Sequence, residues 1–201
     1  MARKEMRRGS DRKSGIVQDI LAARVNTDHL GSRAQIKEFL SQYVSDVPVE
    51  DLEGRAPNIM ARIALDHLAF GAQRRKGQAK LRIYNQTEEE HGYESAYTFV
   101  EMVNDDMPFL VNSVSAAINR HELGVHITVH PIIRLHRDAK GKIESVCKPG
   151  DESGRPESFI RLAIDREHDP KRLKALETEI RNVLSDVRLA VRDWQKMHDK
   201  M

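Results

Sequence analysis

Residues 97–113, Tyr-Thr-Phe-Val-Glu-Met-Val-Asn-Asp-Asp-Met-Pro-Phe-Leu-Val-Asn-Ser, restrict what this chain can fold into more than any other stretch. Tyr97 to Val103 alternates as a strand does. Asn104-Asp105-Asp106 then forms a polar elbow, and Pro108 opens an apolar run at helical spacing: Phe109, Leu110, Val111, Val114, Ala117, Ile118. Proline suits a first helical turn because its missing N–H has no intrahelical partner there. Asp106 stands where it can cap the free N–H groups of that turn. A strand feeding a capped helix is a common structural joint, and it is also a place to hold a small polar or anionic ligand.

The elements around this joint define a fold class. Ile16, Val17, Ile20 and Leu21 repeat at helical spacing. Ser32-Arg33-Ala34-Gln35 reads as a capping box and starts a helix with Ile36, Phe39, Leu40, Tyr43 and Val44 on one face. Pro57 starts a third helix that turns Met60, Ile63, Ala64, His67 and Gly71 inward and ends in Arg74-Arg75-Lys76-Gly77. Beyond it the pattern is mixed. Strands are expected at 80–84, 97–103, 125–136, 143–147 and 158–165, and helices at 108–122 and from Asp169-Pro170 to about residue 198. The order strand-helix-strand-strand-helix is that of a split βαβ unit. That unit lacks a fourth strand after its last helix, so Lys80 to Tyr84 is expected to fill the edge place from the N-terminal side. The reading is α+β: N-terminal helices, then a ferredoxin-like antiparallel sheet with a long C-terminal helix. Its domains are a basic disordered tail at 1–14, a helical segment at 15–77, and the sheet domain with its helix at 78–201.

Composition excludes several function classes. A net charge of +2 is too small for a dedicated nucleic-acid binder. The one basic cluster, Arg3, Lys4, Arg7, Arg8, Arg12 and Lys13, has no apolar run after it and is no signal peptide. One cysteine, Cys147, can make neither an intramolecular disulfide nor a structural zinc site. No apolar stretch approaches the ~20 residues a membrane helix needs. A cytoplasmic protein without membrane or nucleic-acid partners is expected.

Three groups of residues resemble one family. They are Leu81-Arg82-Ile83-Tyr84-Asn85, then Glu89-Glu90-His91-Gly92-Tyr93-Glu94-Ser95, then Val103-Asn104-Asp105-Asp106-Met107-Pro108-Phe109-Leu110-Val111. Together they resemble the N-terminal region of the large bacterial NAD-specific glutamate dehydrogenases. Phe39-Leu40 with Tyr43, Val125-His126 with His130-Pro131, and Asp186-Val187-Arg188 with Asp193-Trp194 fit the same region. The stretch 106–111 is also similar to the Asp-x-Pro-Gly-Leu-Leu turn of ACT domains, small regulatory modules that often bind amino acids. The resemblance implies an ACT-like sheet domain and a non-catalytic regulatory or assembly segment. Its parent enzyme would oxidise glutamate to 2-oxoglutarate and ammonium while reducing NAD. It also implies downstream domains, a homo-oligomer and an amino-acid effector. The rival readings are a free-standing amino-acid-sensing ACT protein and a split-βαβ module that binds RNA.

The candidate site follows from both arguments. Asn104, Asp105 and Asp106 at the elbow, Asn112 and Ser113 on the first turns of the helix, and His91 in the acidic loop are the ligand candidates. The ACT pattern has Gly after its Pro, whereas Phe109 stands here and its ring is expected to fill the space an amino acid would enter. No catalytic set is present. No Gly-x-Gly-x-x-Gly or Gly-rich Lys-Ser/Thr loop occurs, so no cofactor is expected in this segment and NAD would belong to the parent. His126 and His130 are about 13 Å apart along a strand, too far to share an ion, and His67 reads as a satisfied core histidine.

Overall fold

The computed structural model describes residues 2–23, 30–45, 47–53, 56–87 and 94–198. They divide into two compact units, 1–76 with 130–157 and 77–129 with 158–201.

The first unit holds helices α1 (Ala2–Ala22), α2 (Arg33–Ser45), α3 (Val49–Glu53) and α4 (Pro57–Gly71), and strands β4 (Ile132–Arg137) and β5 (Ile143–Val146). The stretch 1–14, read from the sequence as a disordered tail, is helical from Ala2 onward, and its Arg, Lys, Glu and Met residues are good helix formers. The capping box at α2 is reciprocal: the Gln35 N–H donates to Ser32 Oγ (3.3 Å) and the Ser32 N–H to Gln35 Oε1 (3.2 Å). Ile36, Phe39, Leu40, Tyr43 and Val44 of α2 are buried, as are Met60, Ile63, Ala64 and His67 of α4. His67 is a satisfied core histidine, with its Nδ1 2.9 Å from the Tyr43 hydroxyl. β4 and β5 pair antiparallel, and the hairpin groups with the helices rather than with the sheet domain expected at 78–201. Two glutamine side chains of α2 contribute to this. Gln35 Nε2 donates to the Glu144 carbonyl (2.6 Å) and Gln42 Nε2 to that of Cys147 (2.7 Å).

The second unit holds β1 (Lys80–Asn85), β2 (Tyr97–Asp105), α5 (Leu110–Arg120), β3 (Val125–Val129) and α6 (Pro170–His198), together with residues 158–165 of β6 (Arg155–Asp165). Its strand order is β1-β2-β6-β3. β1 pairs antiparallel with β2 at the edge, from Lys80 opposite Val103 to Asn85 opposite Thr98. This is the place expected for it. The single long strand expected at 125–136 is instead two, β3 and β4, parted at His130-Pro131. Pro131 has no N–H to give to a ladder, which breaks the strand there. The alternation is right: His126 and Thr128 are exposed and Val129 is buried. Ile127, which alternation puts on the same face as Val129, is only half-buried. A register shift between Val125 and Ile127 lies in its pairing with β6.

The core of this unit lies between the sheet and two helices. Leu81, Val100, Met102, Ile160, Leu162 and Ile164 meet Leu110, Val114 and Ile118 of α5 and Leu176, Ile180, Leu184 and Val187 of α6. Asp169 caps α6, with its Oδ1 accepting from the Lys171 N–H (2.9 Å) ahead of Pro170. The architecture is α+β, as the element order implies, and it carries the long terminal helix.

Candidate functional site

β2 delivers Asn104, Asp105 and Asp106 to the elbow, and each side chain has a distinct fate. Asn104 lies on the helix side of β2, in phase with Val100 and Met102, and is fully buried. Its Oδ1 accepts from Arg188 Nη2 of α6 (2.5 Å), while its Nδ2 has no acceptor among the described residues. Asp105 Oδ2 accepts from the Gly77 N–H (2.9 Å) and from Arg188 Nη1 (3.2 Å). Gly77 has φ +78°, where an L side chain is strained, and a Cβ there would sit a tight 3.1 Å from Arg188 Nη1. Asp106 Oδ1 accepts from the Ser158 hydroxyl (2.7 Å).

Two expectations about the elbow are therefore corrected. Asp106 does not cap the helix: α5 starts at Leu110, its N-cap is Phe109, and that cap makes no side-chain hydrogen bond. Ser158 lies 52 residues away in sequence and takes the carboxylate instead. Nor does the Phe109 ring fill a ligand space. It is 68% exposed, and its backbone is left-handed at φ 71°. A phenylalanine in that region is strained, and the ACT pattern places its glycine at this position. Of the remaining candidates, Asn112 is exposed and Ser113 half-buried, both on the first turns of α5. His91 lies outside the described residues.

Sequence reasoning missed a buried charge cluster on the opposite face of the same sheet. Glu101, fully buried, accepts from Arg82 Nε (2.8 Å) and Nη2 (2.5 Å), from the Tyr84 hydroxyl (3.0 Å), and from Arg161 Nη1. Arg161 also donates to the Tyr84 oxygen (2.8 Å) and lies 3.9 Å from the Phe99 ring centroid. Burial, and then the negative charge of Glu101, push the Tyr84 hydroxyl well above its ordinary value of 10.0. The available signal was Glu101 inside an otherwise apolar strand, directly opposite Arg82 in the edge pairing. A buried carboxylate persists when guanidinium groups answer it.

A second such knot lies in the first unit. Glu157 accepts from Arg74 and Arg137, and Arg137 also donates to the Gly71 and Gly141 carbonyls (2.9 and 2.7 Å). Arg74, read from sequence as one of the cations at the end of the third helix, is buried. These knots hold strands and helix ends together. Among the described residues no group of three or more His, Cys, Asp or Glu is placed to hold a metal ion. No described helix is long and apolar enough to cross a membrane.

Comparison with known proteins agrees with this fold. Residues 39–180 match the family described as glutamate dehydrogenase, ACT1 domain. The chain is 32% identical over 184 residues to an NAD-specific glutamate dehydrogenase of Halomonas elongata, covering 90% of this chain and 11% of that protein. It is also 32% identical over 176 residues to the NAD-specific glutamate dehydrogenase of Pseudomonas aeruginosa, covering 86% of this chain and 11% of that protein. The chain thus spans about a tenth of the length of these curated relatives. With its split βαβ unit, its edge strand β1 and its match across most of its length, the chain belongs to the glutamate dehydrogenase ACT1-domain family.

Proposed function

We propose that this chain is the N-terminal, non-catalytic regulatory and assembly segment of an NAD-specific glutamate dehydrogenase. The parent enzyme converts L-glutamate, NAD and water to 2-oxoglutarate, ammonium and NADH in the cytoplasm, as a homo-oligomer. The observation that carries the reading is the pairing of a family match with an antiparallel split βαβ sheet. Dinucleotide sites belong to parallel, doubly wound sheets with a Gly-rich first turn. The chemistry then lies in the downstream domains of the parent, and this segment holds a fixed shape beside them. The buried Glu101–Arg82–Arg161 and Glu157–Arg74–Arg137 knots suit a scaffold of that kind.

The test is direct. The purified 201-residue chain should form no NADH from glutamate and NAD, while the protein made from the complete natural reading frame should. NADH formation by the isolated chain sinks the non-catalytic reading. A full-length protein without glutamate-dependent NAD reduction sinks the parent assignment.

One observation favours a ligand at the elbow as a second reading. Asn104 Nδ2 is a buried donor with no acceptor among the described residues, and the first turn of α5 has no side-chain cap. Free N–H groups at a helix start attract a carboxylate. An amino-acid effector would meet Asn104, Asn112 and Ser113 there. Asp105 and Asp106, engaged by Arg188 and Ser158, would position the elbow. Calorimetry with glutamate, aspartate and arginine at millimolar concentration decides it, and a flat trace for the wild-type chain excludes this reading.

A further inference from the structure

The helix α6 carries one apolar stripe whose burial falls away along its length. Leu176 and Ile180 are 0% exposed, Leu184 3% and Val187 9%, and Val191 is half-buried. Trp194 stands seven residues after Val187 and so on the same face, but it is 58% exposed. Met197 flanks it at 61%. The residue type does not change along the stripe; its exposure does. Arg188 fixes where this happens, because its guanidinium is tied to Asn104 and Asp105 at the end of β2. The ten residues beyond it continue for roughly 15 Å. Large exposed apolar side chains aligned with a buried stripe mark a surface that another apolar surface covers.

We propose that this end of α6 is the docking surface for the polypeptide that lies beyond the segment in the parent enzyme, met through an apolar face of that polypeptide. The inference rests on the parent-enzyme reading above. The matched stretch is 11% of the length of each relative, so most of such a protein lies outside it. A partner on the same chain also has the advantage over a free one, because it is met at a higher effective concentration. Arg192 and Asp193, both exposed and 3.4 Å apart, supply a polar margin beside the apolar pair.

The experiment compares this chain with the natural reading frame extended by about 150 residues, one domain's length. Hydrogen exchange is followed at the backbone amides of 189–198. In the longer chain exchange there should slow by about tenfold or more, as burial of a tryptophan and its helix turn requires. Trp194→Ala should return that protection to the level of the short chain. In the short chain the same substitution should leave exchange in β2 unchanged, which shows that the variant folds. Equal exchange in both chains overturns the inference and leaves the parent reading standing. Protection that rises with the concentration of the short chain, together with a dimer in sedimentation, overturns it in favour of a second copy. A reading frame that stops at Met201 removes the parent reading and the inference with it.

Discussion

Arg188 of α6 donates through Nη2 to the fully buried Oδ1 of Asn104, 2.5 Å away, and through Nη1 to Asp105. One guanidinium thereby joins the last helix to the end of β2, and Asp105 in turn holds the Gly77 N–H at the entry to the unit. Arg188→Ala should cost about 1–3 kcal/mol, because Asn104 would keep a buried oxygen with no donor as well as its unpaired Nδ2. Arg188→Lys should not restore the loss, since one ammonium cannot reproduce the fork that reaches two side chains. Urea unfolding measures both. Full rescue by lysine would show that charge alone matters here.

Glu101 tests the opposite face of the same sheet. Glu101→Gln removes the charge that answers Arg82 and Arg161, and Arg161 is itself 6% exposed. Breaking a buried pair on one side costs about 3–5 kcal/mol. Replacing Glu101, Arg82 and Arg161 together by apolar residues of matched volume should cost less than the single change. The Tyr84 hydroxyl, raised by burial and by Glu101, gives a second readout. Its neutral form is favoured in the fold, so its contribution is present below about pH 10 and lost as pH rises beyond. Alkaline unfolding of the wild type should therefore begin earlier than that of Tyr84→Phe, after correction for their difference at neutral pH. Coincident alkaline limbs would contradict the burial argument.

The parts of this fold that were legible in the sequence are those whose partners are close in sequence or dictated by topology. Ser32 with Gln35, and Asp169 before Pro170, act within three residues, and both cap as their spacing implies. β1 is at the edge because a split βαβ unit without its last strand leaves only that place open. The elbow was legible as a joint but not in detail. Asp106 had two partners to choose between, and the winner, Ser158, lies on a strand 52 residues away. The cluster around Glu101 was hidden for the same reason. Alternation assigns a residue to a face, but cannot say that Arg161 will stand on that face sixty residues later. Pro131 was readable as a ladder breaker and was overlooked inside an otherwise regular alternation.

Acid should loosen the α5–β3 connection. The Asp165 carboxyl is held below its ordinary value, chiefly by the hydrogen bond from His126 and also by the Gly124 N–H. Glu179 is lowered chiefly by the Arg120 guanidinium, with His121 also contributing. Depressed carboxylates contribute stability that is fully present above the ordinary value near 4 and lost as pH falls through the lower, folded-state value. In that window the unfolded chain binds more protons than the folded one, so unfolding free energy declines with falling pH. Asp165→Asn with Glu179→Gln should flatten the decline below about pH 4. An identical slope in this double variant would mean that other carboxylates carry the acid sensitivity.

Phe109 gives the prediction whose sign depends most on the structure. If its ring filled a pocket, Phe109→Gly would cost several kcal/mol. The ring is instead 68% exposed and the backbone stands at φ 71°, where an L side chain is strained by about 1–2 kcal/mol. Glycine relieves that strain and adds about 0.5–1 kcal/mol of backbone entropy to the unfolded state. The net change should lie between zero and about 1.5 kcal/mol of stabilisation. Phe109→Asn, tolerant of the left-handed region, should be at least neutral. Phe109→Val should destabilise, because a β-branched residue is worse at positive φ. Thermal and urea unfolding of the three variants settle the order. A large loss for glycine, with valine tolerated, would place the ring in a packed site and would reinstate it as the plug of the elbow.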